Sequence, residues 1–148
     1  MGTRRLSRER ALQALYYMDM QRDPVDDPVG QFCSCFSQDR PAHPFFHRIV
    51  DGVQENRSTI DTIIEQFSSN WKLSRMSCVD RNVLRIAVFE LLFCPDIPAK
   101  VSINEAIDVA KRFGTDESGA FINGILDSIR LAMDRQEIPC EPTAGATG

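Results

Sequence analysis

The amino-acid sequence predicts an all-α domain, and three observations support that prediction. Apolar side chains recur at helical spacing through most of the 148 residues, and no segment shows the alternating pattern of a half-buried strand. Ser102, with Glu105 three residues later, matches a capping box, which marks a helix start. Gly114 stands where a residue in the left-handed conformation would end that helix.

The first helix is predicted from about Arg4 to Met20. Its apolar stripe consists of Ala11, Ala14, Leu15 and Met18. Towards the N-terminus the stripe runs into Arg8 and Arg4, whose charges are too costly to bury without a partner. The first two turns are therefore expected to overhang the body of the domain or to fray.

The middle of the chain divides into a loop and a helical region. Residues 23–44 contain four prolines and predict a loop with one short helix around 29–36. From Phe46 to Phe67 the apolar spacing predicts one long helix or two in tandem, with Asn56-Arg57 as the weak point.

The second half is predicted to contain the core. Between Ser77 and Phe93 apolar residues surround the helix axis on almost every side, which is typical of a central, buried helix. Pro95 and Pro98 follow its end. Two further helices are expected, the last ending near Arg135. Residues 1–138 then form a single domain, and the tail 139–148 is expected to be disordered.

Charge is distributed unevenly along the chain. The net charge of −4 combines a local charge of +3 in residues 1–10 with 13 basic and 20 acidic residues in the remainder. A basic N-terminus can bind phosphates locally, and an acidic body suits a basic protein partner. Five cysteines at irregular spacing indicate reduced thiols, and no apolar run is long enough for a membrane span, so a cytoplasmic protein is expected.

The sequence gives little support for catalysis or a metal site. The histidines are His43 and His47, and a thiolate–imidazolium couple would need one of them to pair with Cys33 or Cys35. No catalytic signature accompanies this group, and its spacing does not match the usual zinc patterns. Neither an enzyme nor a bound cofactor is predicted.

The candidate chemistry lies in cations and aromatic rings. The N-terminal arginines Arg4, Arg5, Arg8 and Arg10 suit phosphate contacts, because guanidinium groups fork onto phosphate oxygens. Phe113 and Phe121 bracket a polar turn next to Lys111 and Arg112. On pattern alone each ring suits the core and the stacking of an unpaired base equally well. The arginines could equally belong to a solvated terminus.

Three ordered blocks resemble the NusB family of bacterial transcription antitermination factors. They are Arg8–Tyr16, Asp80–Leu92 and Val101 to about residue 127. The resemblance implies about seven helices in two small subbundles. It also implies an adaptor that binds the boxA element of ribosomal RNA transcripts together with NusE, a small-subunit ribosomal protein, and that acts within an antitermination complex on RNA polymerase.

The resemblance also assigns roles to individual residues. It implies RNA contacts for the four N-terminal arginines and for Phe113, Glu117 and Phe121, with Lys111 and Arg112 alongside. It implies protein-partner contacts for Tyr16 and Asp80.

The sequence leaves two questions open, one about function and one about oligomeric state. A helical protein-interaction module without specific RNA binding is the alternative function. A weak homodimer through the partner surface is not decided by the sequence either.

Overall fold

The computed structural model describes residues 3–20, 44–69 and 71–138, and the described part of the chain is all-helical. It contains six α-helices: α1 (Thr3–Met20), α2 (Pro44–Glu55), α3 (Arg57–Phe67), α4 (Cys78–Phe93), α5 (Ala99–Phe113) and α6 (Ser118–Asp134). A 3-10 turn, Leu73–Arg75, precedes α4. The predicted short helix at 29–36 and the tail at 139–148 lie outside the described residues, as do Cys33, Cys35 and His43.

Helix α4 is the centre of the fold, as its sequence predicts. It packs against each of the other five described α-helices, and residues 82–92 are all buried. The Ser77 side chain caps its start by accepting a hydrogen bond from the backbone N–H of Asp80. Helices α1 and α2 pack together against α4, and α5 and α6 form a second pair.

The boundary between α2 and α3 falls at Asn56, where the sequence predicts a weak point. The Asn56 side-chain amide donates to the carbonyl of Gly52 at 2.9 Å, so it competes with the helical backbone pattern at this position. The backbone N–H of Asn56 still bonds to the same carbonyl. The two helices therefore continue one another with only a local break.

Gly52 is required by close packing. A Cβ at this position would lie 2.1 Å from Cε1 of Phe89, whose ring is buried in the core. No positive φ is involved. The glycine allows α2 to approach the ring of α4 more closely than any other residue would.

A buried carboxylate fixes the C-terminal end of α1. Asp19 accepts hydrogen bonds from Asn82 at 2.9 Å and from Arg57, Arg81 and Arg85 at 3.1–3.2 Å. Burial alone would raise the pKa of this carboxyl, but the Asn82 hydrogen bond and the three arginine charges outweigh burial and lower it. Asp19 thereby connects α1 to both α3 and α4.

Two predicted helix signals are wrong. Helix α5 begins at Ala99 after Pro98, about one turn before Ser102, so Ser102 and Glu105 form no capping box. Pro98 has extended backbone angles and is well suited to precede a helix. Gly114 does end α5, but its φ of −105° is not left-handed. Within the described ranges, no helix is long and apolar enough to cross a membrane.

Candidate nucleic-acid interface

The start of α1 is anchored to the body, so the expectation of an overhanging or frayed N-terminus is wrong. Ser7, Arg8 and Glu9 are all buried. The guanidinium of Arg8 donates two hydrogen bonds of 2.8 Å to the two carboxylate oxygens of Glu90 in the middle of α4. Arg8 is 4% exposed and Glu90 is 1% exposed, so the pair lies inside the protein. The charge is tolerated in the core because its partner is buried with it.

Ser102 completes this buried pair. Its hydroxyl donates a hydrogen bond of 2.8 Å to Glu90 Oε1. That bond explains why Ser102 does not cap α5: its side chain is directed at α4. The sequence signal that resembles a cap is therefore part of a polar connection among α1, α4 and α5.

Arg5 is held by acidic residues of α5. Its guanidinium donates to both carboxylate oxygens of Glu105 and to Asp108, the latter at 3.0 Å. The hydrogen bond from Arg5 is the main reason that the pKa of the Glu105 carboxyl is lowered. About 30% of the Arg5 side chain remains exposed, so a ligand can reach it only alongside these carboxylates.

Arg4 and Arg10 differ from the other two arginines. Neither forms an ion pair with a described residue. Arg4 is exposed and lies over the ring of Phe45, with 4.8 Å from its guanidinium carbon to the ring centroid. Arg10 is half-buried. The four arginines that look equivalent in the sequence thus divide into a buried structural residue, a shared one and two without carboxylate partners in the described chain.

The turn between α5 and α6 is rigid. The Ser118 hydroxyl is buried and accepts a hydrogen bond from the backbone N–H of Thr115 at 2.9 Å. A Cβ at Gly114 would lie 2.4 Å from that hydroxyl and 2.8 Å from the carbonyl of Ala110. Close approach, rather than a left-handed backbone, is therefore the reason for glycine. Glu117 is exposed at the end of this turn, and its backbone N–H donates to the Thr115 hydroxyl.

The cations beside the turn are accessible. Lys111 is exposed, and its aliphatic chain lies over Gly119, where a Cβ would come within 3.0 Å of Cε. The Arg112 side chain is 65% exposed, donates to Glu9 at 2.9 Å and lies 5.2 Å from the Phe113 ring centroid. This contact connects the turn to α1.

Both candidate rings combine a core role with partial exposure. Phe113 and Phe121 are half-buried and pack against the hydrophobic core. Phe121 also contacts Trp71, with 6.2 Å between ring centroids and 65° between ring planes. Trp71 is not among the site residues predicted from the sequence. An exposed aromatic residue in a loop between helices was the signal available for it.

Of the two predicted partner residues, Tyr16 lines an apolar groove. The groove has a volume of about 590 Å³ and is lined by Leu12, Gln13, Tyr16, Tyr17, Met20, Val79 and Phe113. Tyr16 is 42% exposed. Asp80 follows Val79 in sequence, and its Oδ1 atom is shielded from solvent without accepting a hydrogen bond from a described residue.

Within the described ranges, Cys78 is half-buried and Cys94 is buried. No group of three metal-ligating side chains occurs among the residues the structure describes. Burial raises the pKa of the Cys94 thiol to about 11, and burial also raises the pKa of Cys78.

The family model and the sequence relatives that match this chain all belong to one family. The NusB family model matches residues 5–130. The transcription antitermination protein NusB of Desulfatibacillum aliphaticivorans is 55% identical, with 93% of this chain and 96% of the relative covered. That of Myxococcus xanthus is 47% identical, with 91% and 99% covered.

Solved structures agree with the sequence relatives. A NusB structure from T. maritima is 40% identical with a TM-score of 0.77, covering 91% of this chain and 97% of that one. A crystal structure of the antitermination factors NusB and NusE in complex with dsRNA is 26% identical with a TM-score of 0.77, covering 89% and 98%. With its fold, its ordered sequence blocks and these matches, the chain belongs to the NusB family.

Proposed function

We propose that this chain is an RNA-binding adaptor of transcription antitermination. It binds a boxA-type element of a ribosomal RNA transcript together with the small-subunit protein NusE, and the pair joins an antitermination complex on RNA polymerase in the cytoplasm. In this role it catalyses no reaction. The observation that supports it best is the exposed cationic and aromatic surface around the α5–α6 turn, in a chain whose relatives are antitermination proteins.

The proposed RNA surface consists of cations that contact phosphates and of residues that contact bases. Phosphate contacts come from Arg4, Arg10, Lys111 and Arg112, and Arg5 contributes where phosphate displaces its carboxylates. Arg8 is left out, because contact with RNA would require breaking a buried pair. Phe113, Glu117 and Phe121 contact bases, by stacking or through their polar edges.

The partner surface is the apolar groove that Tyr16 lines, with Asp80 next to the lining residue Val79 in sequence. Its apolar lining suits burial of a protein surface. Outside the first ten residues the chain carries an excess of seven negative charges, which favours a basic partner such as a ribosomal protein.

A second candidate is a helical protein-interaction module without specific RNA binding. The apolar groove favours it, since the groove can bind a protein whether or not RNA is present. A weak homodimer through the same groove would also bury this surface.

The salt dependence of RNA binding tests the phosphate contacts. Replacing Arg4 and Arg10 together by glutamine is expected to reduce the log–log salt slope by about 1.4, because each lost contact with single-stranded RNA accounts for about 0.7. The measurement is the affinity for a labelled boxA RNA at several salt concentrations.

The matched control replaces Arg130 and Arg135, two exposed arginines, by glutamine. Arg130 lies about 18 Å along the α6 axis from Ser118 and the turn. This control should leave the slope nearly unchanged. Equal slopes for wild type and the Arg4/Arg10 variant would refute phosphate contacts by these two residues.

A further inference from the structure

Trp71 is an exposed aromatic residue on a fixed backbone. Its side chain is 52% exposed, although it lies beside the buried core residue Leu73. The Trp71 carbonyl accepts a 2.7 Å hydrogen bond from the hydroxyl of Ser68, and its N–H donates to the Ser68 carbonyl at 3.0 Å. Ser68 itself is buried. The backbone at Trp71 is therefore held on both sides by a residue anchored in the protein.

The next residues fix the same segment. The N–H of Leu73 donates to the Glu65 carboxylate at 2.9 Å, so this acidic group is occupied. Ser69, at the preceding turn, has a positive φ of 56°. These hydrogen bonds restrain the backbone of Trp71 and Leu73 before any ligand binds, so less backbone entropy is lost on binding.

The indole is continuous with the proposed RNA surface. It contacts Phe121, which packs on the core with its other side. Lys72 and Arg75 follow in sequence, are exposed and form no ion pair with a described residue. An exposed indole, followed in the chain by exposed cations that lack an ion pair with a described residue, matches the chemistry of single-stranded nucleic acid, whose bases stack while its phosphates are neutralised.

We propose that Trp71 is a base-stacking residue, which receives an unpaired RNA base next to Phe121 while Lys72 or Arg75 contacts the adjoining phosphate. This inference rests on the proposed RNA-binding function and extends its surface from the α5–α6 turn to the segment before α4. In this proposal the base binds the exposed part of the indole, and the contact with Phe121 orients the ring.

The chain contains a single tryptophan, which makes a direct test feasible. Its fluorescence reports on residue 71 alone. Adding an unlabelled boxA-type single strand to the full chain should quench the emission along the same binding curve that anisotropy of a labelled RNA gives. The same RNA annealed to its complement should quench less, because its bases are already stacked.

Two variants separate stacking from packing. Trp71→Leu keeps an apolar side chain without a π-face and should weaken RNA binding roughly 5- to 140-fold, the range that one stacked base accounts for. Trp71→Phe should recover most of that affinity. Both variants should unfold at nearly the wild-type temperature, since the side chain is half exposed.

The possible outcomes distinguish this inference from the function it rests on. RNA binding by anisotropy with unchanged emission and an unaffected Trp71→Leu variant would overturn the stacking role and leave the function intact. Absence of RNA binding by either method, with or without NusE, would overturn both. Emission that responds to NusE alone and never to RNA would assign Trp71 to the protein partner.

Discussion

Replacing Glu90 by leucine is expected to lower the free energy of unfolding by about 3–5 kcal/mol. The variant removes the carboxylate that accepts both 2.8 Å hydrogen bonds of the buried Arg8 guanidinium and leaves it the longer contact of 3.4 Å with Glu105. It also removes the acceptor of the Ser102 hydroxyl. Chemical denaturation at neutral pH measures the loss.

The double variant Arg8→Met/Glu90→Leu tests the cause of this loss by comparison with the single variant. Two apolar side chains of similar volume replace a buried ion pair, and such exchanges are often neutral or stabilising. We expect the double variant to recover most of the lost stability. A double variant as unstable as the single one would contradict the assignment of the loss to the buried charge of Arg8 without Glu90.

An exposed pair provides the matched control. Arg48 donates two hydrogen bonds to Asp96 on the surface, and the hydrogen bond from Arg48 lowers the pKa of that carboxyl to about 2. Asp96→Asn should nevertheless cost no more than about 1 kcal/mol, because water screens the pair.

Replacing Gly52 by alanine is expected to destabilise the fold by about 1–3 kcal/mol, despite the better helix propensity of alanine. The new Cβ would lie 2.1 Å from the ring of Phe89, which is buried and stacked on Phe93. Helix α2 or the ring must shift, and both lie in the core. Thermal unfolding of the variant measures the effect.

Gly124 is the control for this prediction. It lies within α6, is exposed, and an added Cβ meets nothing within 4 Å. Gly124→Ala should therefore stabilise the protein by about 1 kcal/mol through helix propensity alone. If Gly52→Ala gave the same gain, the close approach of α2 to Phe89 would be disproved.

Much of the fold could be predicted because its signals are local. Apolar residues on almost every side of Ser77–Phe93 identified the central helix, and Asn56-Arg57 was the predicted weak point, where α2 and α3 divide. The chain order of these elements then restricts how they can pack.

The arrangement of the N-terminal arginines could not be predicted in the same way. Arg8 and Glu90 are 82 positions apart, and nothing in the spacing of either residue indicates that they pair. Glu90 lies in an otherwise apolar stretch, where an isolated acid signals a buried partner without identifying it. The same uncertainty affected Ser102, whose hydroxyl can cap a helix or donate to a distant carboxylate.

The candidate site follows from the sequence as a set of residue types, and the structure adds which of these residues share a surface. Phe113, Phe121 and the neighbouring cations were identified from the sequence, but their half-buried state depends on packing. Trp71 contacts Phe121 across 50 positions of sequence. The spacing of the two residues therefore gave no indication that Trp71 belongs to the same surface.

The most direct test of the central claim is a titration of labelled single-stranded boxA RNA with this protein, with and without NusE, at two salt concentrations. The account predicts binding that weakens with salt, exceeds binding of a scrambled RNA and strengthens when NusE is present. Equal affinity for boxA and scrambled RNA, unaffected by NusE at both salt concentrations, would contradict it.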